Sequence, residues 1–145
     1  MQRQMSSSPK IIINCDGGAR GNPGPAASAF VVSDDNGNVI HEEGRFLGVA
    51  TNNVAEYSAV VDALTWAVTL QNSKIRELSV VLDSELVARQ MKGEYKIKSS
   101  LLVPLAVKVK SLEKTLPFTV SYSHVSRQLN TLADKRVNEI LDAIR

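Results

Sequence analysis

The chain holds one cysteine, Cys15, and two histidines. A lone cysteine excludes an internal disulfide framework, and a reducing compartment, the cytoplasm, is the expected location. Cys15 lies mid-strand among apolar residues, with no neighbouring histidine or helix start to lower its thiol pKa. It reads as a small buried hydrophobe. So few Cys and His also leave no ligand set for structural zinc. Residues 1–10 are polar and lack an apolar signal core, and nowhere do about 18 apolar residues run together. Neither secretion nor membrane insertion is expected. Strong charge of one sign is missing as well: the formal net charge is +2, which permits a polyanionic partner without requiring one. No internal repeat appears.

What is present is ordinary globular composition, 43% hydrophobic and 22% charged over 145 residues, enough for one core and one domain. Residues 1–9 (MQRQMSSSP) read as a flexible leader and residues 10–145 as the domain, expected to be a monomer. From Lys10 the β-branched run IIINC predicts a strand that stops at the turn-rich DGGARGNPGP. Two more strands, AASAFVV and VIHEEGRFLGV, flank SDDNGN, whose Asn36-Gly37 pair suits the positive φ values of a tight hairpin.

From Asn53 the period changes. Tyr57, Val60, Val61, Leu64, Ala67 and Val68 recur at steps of three and four, one face of a helix. LSVVL at 78–82 predicts a buried strand, and SELVARQMKG a helix beginning at Ser84 and stopped by Gly93. Leu101, Leu105, Val109 and Leu112, with Pro104 in the first turn, predict a helix over roughly 101–115. FTVSYSHV is a fifth strand, and Ala133, Val137, Ile140, Leu141 and Ile144 stripe a last helix. The order predicts an α/β fold: a mixed five-stranded sheet, three antiparallel strands followed by parallel ones, with strands one, four and five parallel and helices flanking.

Asp16 follows the first strand and Asp83 the fourth, so parallel neighbours bring both carboxylates to the sheet edge where ligands bind in open α/β sheets. Glu56 in the crossover helix and Asp134 near the start of the last helix can lean to the same point. Four gathered carboxylates repel, and a bound hard cation, Mg²⁺ or Mn²⁺, is the natural compensator. A pair of such ions about 3.5–4 Å apart serves phosphodiester hydrolysis. Each acid also has a purely structural reading. Glu56 can form a capping box with Asn53, Asp16 can brace the glycine-rich turn, Asp83 can cap the helix after it, and Asp134 can sit on a solvated face beside Lys135 and Arg136.

Four motifs, CDGGARGNPGPAA, TNNVAEYSAV, LDSELV and HVSRQLNTLAD, stand in order over nearly all of residues 10–145. Together they resemble the ribonuclease H type 1 family, with its ribonuclease H-like fold. The resemblance implies a metal-dependent endonuclease that hydrolyses the RNA strand of an RNA/DNA hybrid, using two Mg²⁺ ions with Mn²⁺ as a possible substitute, and leaving 5′-phosphate and 3′-hydroxyl ends. It puts Asp16, Glu56, Asp83 and Asp134 at the metal. It puts Gly17, Gly18, Asn22, Thr51, Asn52 and Asn53 where relatives hold the hybrid's backbone and minor-groove edge, although turn formation and helix capping would also explain such residues. A non-cleaving nucleic-acid-binding module and another nuclease of the same fold are the alternatives.

The chain departs from the best-known bacterial pattern in two places. Between Gly93 and Phe118 there is no Trp-containing basic insertion, so it reads as a variant lacking the basic protrusion. In that interval YKIK offers Lys96 and Lys98 as phosphate contacts. The fourth motif is short and close to H-V-x-R, which favours Arg127 over His124 as the auxiliary group for product departure. His124 is expected to point into the sheet face with Val120 and Tyr122.

Overall fold

The computed structural model describes residues 10–71 and 73–144; the leader expected at residues 1–9 lies outside them. Strands β1 (Lys10–Ala19), β2 (Gly24–Asp34) and β3 (Val39–Ala50) lead into helix α1 (Asn52–Ala67). Then come β4 (Glu77–Leu82), α2 (Glu85–Met91), α3 (Val103–Thr115), β5 (Thr119–His124) and α4 (Thr131–Asp142). They form one mixed sheet in the order β3-β2-β1-β4-β5. β1 pairs antiparallel with β2 and parallel with β4, and β4 pairs parallel with β5. The expected α/β architecture is the one observed.

The period-two pattern of β1 divides two layers. Ile11, Ile13 and Cys15 face α1 and join Tyr57, Val60, Leu64, Val80, Leu82 and Val109 in the main core. Full burial of each large aliphatic side chain contributes about 1.5–3 kcal/mol, so this face holds the fold together. On the other face Ala27 and Ala29 meet Val137 and Leu141 of α4 in a thinner layer. Among the described residues no helix is long and apolar enough to cross a membrane.

Local chemistry moves several expected boundaries. β1 does not stop at Asp16: its ladder with β2 continues to Ala19 opposite Ala26, whereas its ladder with β4 ends at Asn14 opposite Val81. Antiparallel pairing carries the glycine pair as strand, so Asp16 sits within β1. The hairpin is not a two-residue turn, because Gly37 has φ 86° but Asn36 has no positive φ. Asp34 Oδ1 instead accepts from the amides of Asn36 and Asn38, each at 2.9 Å, and one left-handed glycine closes a longer loop. α1 starts at Asn52, capped by Thr51 Oγ1, which accepts from the Val54 amide at 3.2 Å. α3 starts at Val103, with Leu101 61% exposed outside it and Leu102 buried in its place. Ile144 lies beyond α4 and is exposed.

Gly17 sets how near α1 comes to the sheet. A Cβ built there would lie 2.2 Å from the Ala55 carbonyl carbon and 2.5 Å from the Glu56 amide, whereas one at Gly18 would meet nothing nearer than 3.9 Å. Helix backbone cannot yield as a side-chain tip does. Gly17→Ala should therefore lower unfolding free energy in urea by about 1–3 kcal/mol, and Gly18→Ala by clearly less. Equal losses would show that this close approach is not the constraint.

Candidate active site

The break between the two β1 ladders is where the acids collect. Beyond Asn14 no β4 residue pairs with β1, and Asp83 follows the last residue of β4. Asp16 shares the face of its partner Ala29, toward α4, and Glu56 reaches in from α1. Carboxylate oxygens of Asp16, Glu56 and Asp83 all lie within 4.8 Å of one another. Asp134, in the first turn of α4, is outside that tight group but lines the same open cleft of about 430 Å³. Gly17, Gly18, Arg20, Asn52, Asn53 and Arg127 complete much of its wall.

Three of the structural readings of these acids fail on geometry. Glu56 forms no capping box: Thr51 caps the helix, and Glu56 Oε1 accepts from the Gly17 amide at 2.7 Å. Asp83 does not cap α2, because Ser84 Oγ accepts from the Val87 amide instead. Asp134 is half-buried in the cleft wall rather than on a solvated face, its Oδ2 accepting from Asn138 Nδ2 at 3.4 Å. No hydrogen bond from the glycine-rich turn to the Asp16 side chain is seen among the described residues.

Burial and mutual repulsion dominate the electrostatics. Asp16 and Glu56 are each only 5% exposed. Burial, with the charges of Asp83 and Asp134 adding, pushes the Asp16 carboxyl up to about 7, although its hydrogen bond with Glu56 acts the other way. Glu56 is also raised well above the usual carboxylate range, by burial first and the Asp16 charge second. Glu56 Oε2 is buried with no hydrogen-bond partner. An orphaned oxygen amid repelling carboxylates fits a hard divalent cation, which would take it as a ligand and neutralise the cluster.

The remaining expected residues separate. Asn22 Oδ1 accepts from the Asn52 amide at 2.9 Å, and Asn52 Oδ1 accepts from the Ala19 amide at 2.8 Å, so both clasp the β1–β2 loop to the start of α1. Thr51 is occupied as the cap. Lys96 and Lys98 are exposed on the coil between α2 and α3 and do not line the cleft. Arg127 lines it; His124 does not. His124 pairs with Leu82 at the end of β5 and shares its face, but it is exposed rather than buried with Tyr122, because the strand ends there.

Sequence reasoning passed over Asn130, which is 1% exposed and donates to the Cys15 carbonyl and to Asp83. A polar residue between an apparent loop and a helix looks like a cap, and nothing in its spacing marks it otherwise. Asn14, polar within IIINC, was the available signal.

Residues 14–140 match the family described as reverse transcriptase-like. The chain is 41% identical over 135 residues to a bifunctional protein of Mycobacterium tuberculosis, covering 92% of this chain and 36% of that protein. It is 36% identical over 127 residues to the ribonuclease HI of Halobacterium salinarum, covering 88% of this chain and 62% of that one. It thus spans about a third to three-fifths of these relatives' length. The solved structure of LC11-RNase H1 in complex with an RNA/DNA hybrid superposes with a TM-score of 0.86 at 41% identity, covering 91% of this chain and 96% of that one.

A carboxyl that is raised on folding binds more protons in the folded state than in the unfolded one, so its contribution is fully present at low pH and is lost as pH rises through the folded value. For Asp16 the loss runs from about 4 to about 7. In chelator, the melting temperature should fall across that window, and Asp16→Asn should flatten the fall. Added Mg²⁺ should raise the melting temperature more at pH 8 than at pH 5. An equal pH dependence in the wild type and Asp16→Asn would remove Asp16 as its source.

Proposed function

The chain belongs to the reverse transcriptase-like family and, within it, to the ribonuclease HI proteins, and on that footing we propose that it is an endoribonuclease hydrolysing the RNA strand of RNA/DNA hybrids. The observation that carries this reading is the convergence of Asp16, Glu56 and Asp83, with Glu56 Oε2 left unpaired, in an open polar cleft. Such a cleft suits the backbone of a duplex better than an enclosed small molecule. Asp16, Glu56, Asp83 and Asp134 would hold two Mg²⁺ ions. These supply, when bound, Lewis acidity toward water and the scissile phosphate, and the expected ends are 5′-phosphate and 3′-hydroxyl.

The chain's own groups account for the rest. The carboxylates fix where the positive charge sits. Gly17 and Gly18 present backbone to the cleft, where Gly18, with no side chain, leaves room for a phosphate backbone, and Asn22, Thr51, Asn52 and Asn53 gather at one loop–helix junction on its rim. Small polar groups there suit 2′-hydroxyl and minor-groove contacts, by which RNA is told from DNA. Arg127 presents a permanently charged, bidentate donor beside the acids, suited to attracting the scissile phosphate or the departing product. Lys96 and Lys98 would reach phosphates farther along the duplex.

Strand-labelled RNA/DNA, RNA/RNA and DNA/DNA duplexes test the reading. RNA in the hybrid should be cut in Mg²⁺, with its DNA strand and DNA/DNA intact; cleavage undiminished by chelator would sink the proposal. Asp83→Asn should lose at least about a hundredfold in activity while remaining folded, and its melting temperature in chelator should hold or rise. Near-normal turnover would remove Asp83 from the site.

Arg127→Ala should lower kcat roughly ten- to a hundredfold with little loss of stability, and His124→Ala, whose side chain is exposed, should change stability little. A sharp kcat loss confined to His124→Ala, with a flattened pH profile, would reverse the assignment. Replacing Lys96 and Lys98 together by Ala should raise KM for long hybrids and flatten its salt dependence by up to about one counterion per lost contact. An unchanged slope would put both off the footprint.

A further inference from the structure

Resting on the proposed active site, we infer that Asn130 is a positioning residue that aims Asp83 into the acidic cluster, with Asn14 fixing the orientation of its amide. Asn130 stands at the position before α4 where a side chain normally caps the helix, yet it makes no capping bond. The side chain turns inward and is 1% exposed. Its Oδ1 accepts from Asn14 Nδ2 at 2.9 Å, and its Nδ2 donates to the Cys15 carbonyl at 2.9 Å and to Asp83 Oδ2 at 3.4 Å.

This pattern permits one orientation of the amide. A flipped Asn130 would set its oxygen against the Cys15 carbonyl and the Asp83 carboxylate, and its NH₂ against that of Asn14. All three contacts would then be donor to donor or acceptor to acceptor. Asn14 therefore acts at a distance: holding Oδ1, it leaves Nδ2 directed at Asp83. The Asp83 contact is long, so its use is direction rather than strength. It engages one carboxylate oxygen of Asp83 from the residue that also holds the Cys15 carbonyl.

The backbone of Asn130 extends the same link. Its amide donates to the Arg127 carbonyl at 3.0 Å, and its carbonyl accepts from the Asp134 amide at 3.2 Å. A single residue thus relates β1 beside Asp16, the acid after β4, the arginine turn and the first turn of α4. A residue present only to stabilise the fold would have no need to donate to a carboxylate of the cluster.

The test compares Asn130→Ala, the near-isosteric Asn130→Asp and Asn14→Ala with the wild type. Mg²⁺ affinity is read by calorimetry, and kcat and KM are read separately on the hybrid. Asn130→Ala should weaken Mg²⁺ binding by about tenfold, as loss of a group orienting a metal ligand does, and should lower kcat while KM stays within about twofold. Asn130→Asp should be worse than Ala, since it turns a donor into a charge facing Asp83. Asn14→Ala should move the same two quantities less.

Wild-type Mg²⁺ affinity in Asn130→Ala, or equal effects of Ala and Asp, would overturn the inference. If Asn130→Ala does not fold, Asn14→Ala decides by the same affinity measurement. Should the wild type bind Mg²⁺ without cutting hybrid, the functional reading fails while the affinity comparison still judges Asn130.

Discussion

Carboxylates held together in a partly buried place repel one another, and the geometry around the cleft can be understood as the means of holding them there. Charge is tolerated at that spot because the sheet is incomplete: β4 stops while β1 continues with β2. The gap gives Asp16 a free flank and gives Glu56 a backbone amide, that of Gly17, to engage. The same gap leaves Asp83 at the end of its strand, facing inward. Had β4 run on alongside β1, its backbone would have occupied the space where the acids meet. Burial, with the neighbouring carboxylate charges adding, raises the pKa of Asp16 and of Glu56, so these two oppose the fold without a cation; the main core of α1 against the sheet supplies the offsetting stability.

Much of this was legible in the chain. The switch from period two to period three and four at residue 53 located α1, and the isolated run LSVVL located β4. Given parallel pairing, Asp16 and Asp83 had to emerge at one edge. Less legible was anything decided by a partner distant in sequence. DGGA reads locally as a turn, and only the ladder to Ala26–Ala29 makes it strand. Glu56, three residues past Asn53, satisfies the capping pattern, but Thr51 already supplies the cap and the Gly17 amide lies within reach. His124 follows the buried alternation of β5, yet the strand ends there and nothing covers it. In each case a local rule was sound and a tertiary contact overrode it.

Asparagine carries most of the polar joinery near the cleft. Asn22 and Asn52 exchange bonds between the β1–β2 loop and α1, and Asn14 and Asn130 do the same between β1 and α4. A carboxylate in any of these positions would add to the repulsion, and a lysine would pair with the acids and compete with a cation. The neutral amide both donates and accepts, so it can satisfy buried backbone while leaving the local charge to the four acids. That division of labour explains why the cleft is lined with amides and acids but has Arg20 and Arg127 as its only cations among the described residues.

The thin layer under α4 follows from the same requirement. Asp134 can share the cleft only if α4 lies close to the sheet, and the residues beneath it are small: Ala27, Ala29 and Gly44. A Cβ at Gly44 would stand 2.7 Å from Ile140 Cδ1 and 3.1 Å from Arg136 Cγ, so the side chains of α4 rest directly on bare strand backbone there. Larger side chains would bury more apolar surface, at about 25 cal/mol per Å², but would lift α4 and carry Asp134 away from the other acids. On the α1 side, by contrast, Gly17 alone marks the point of closest approach, and large residues fill the core beyond it. Alanine and glycine under α4 therefore trade stability for position, and the main core on the opposite face makes that trade sustainable.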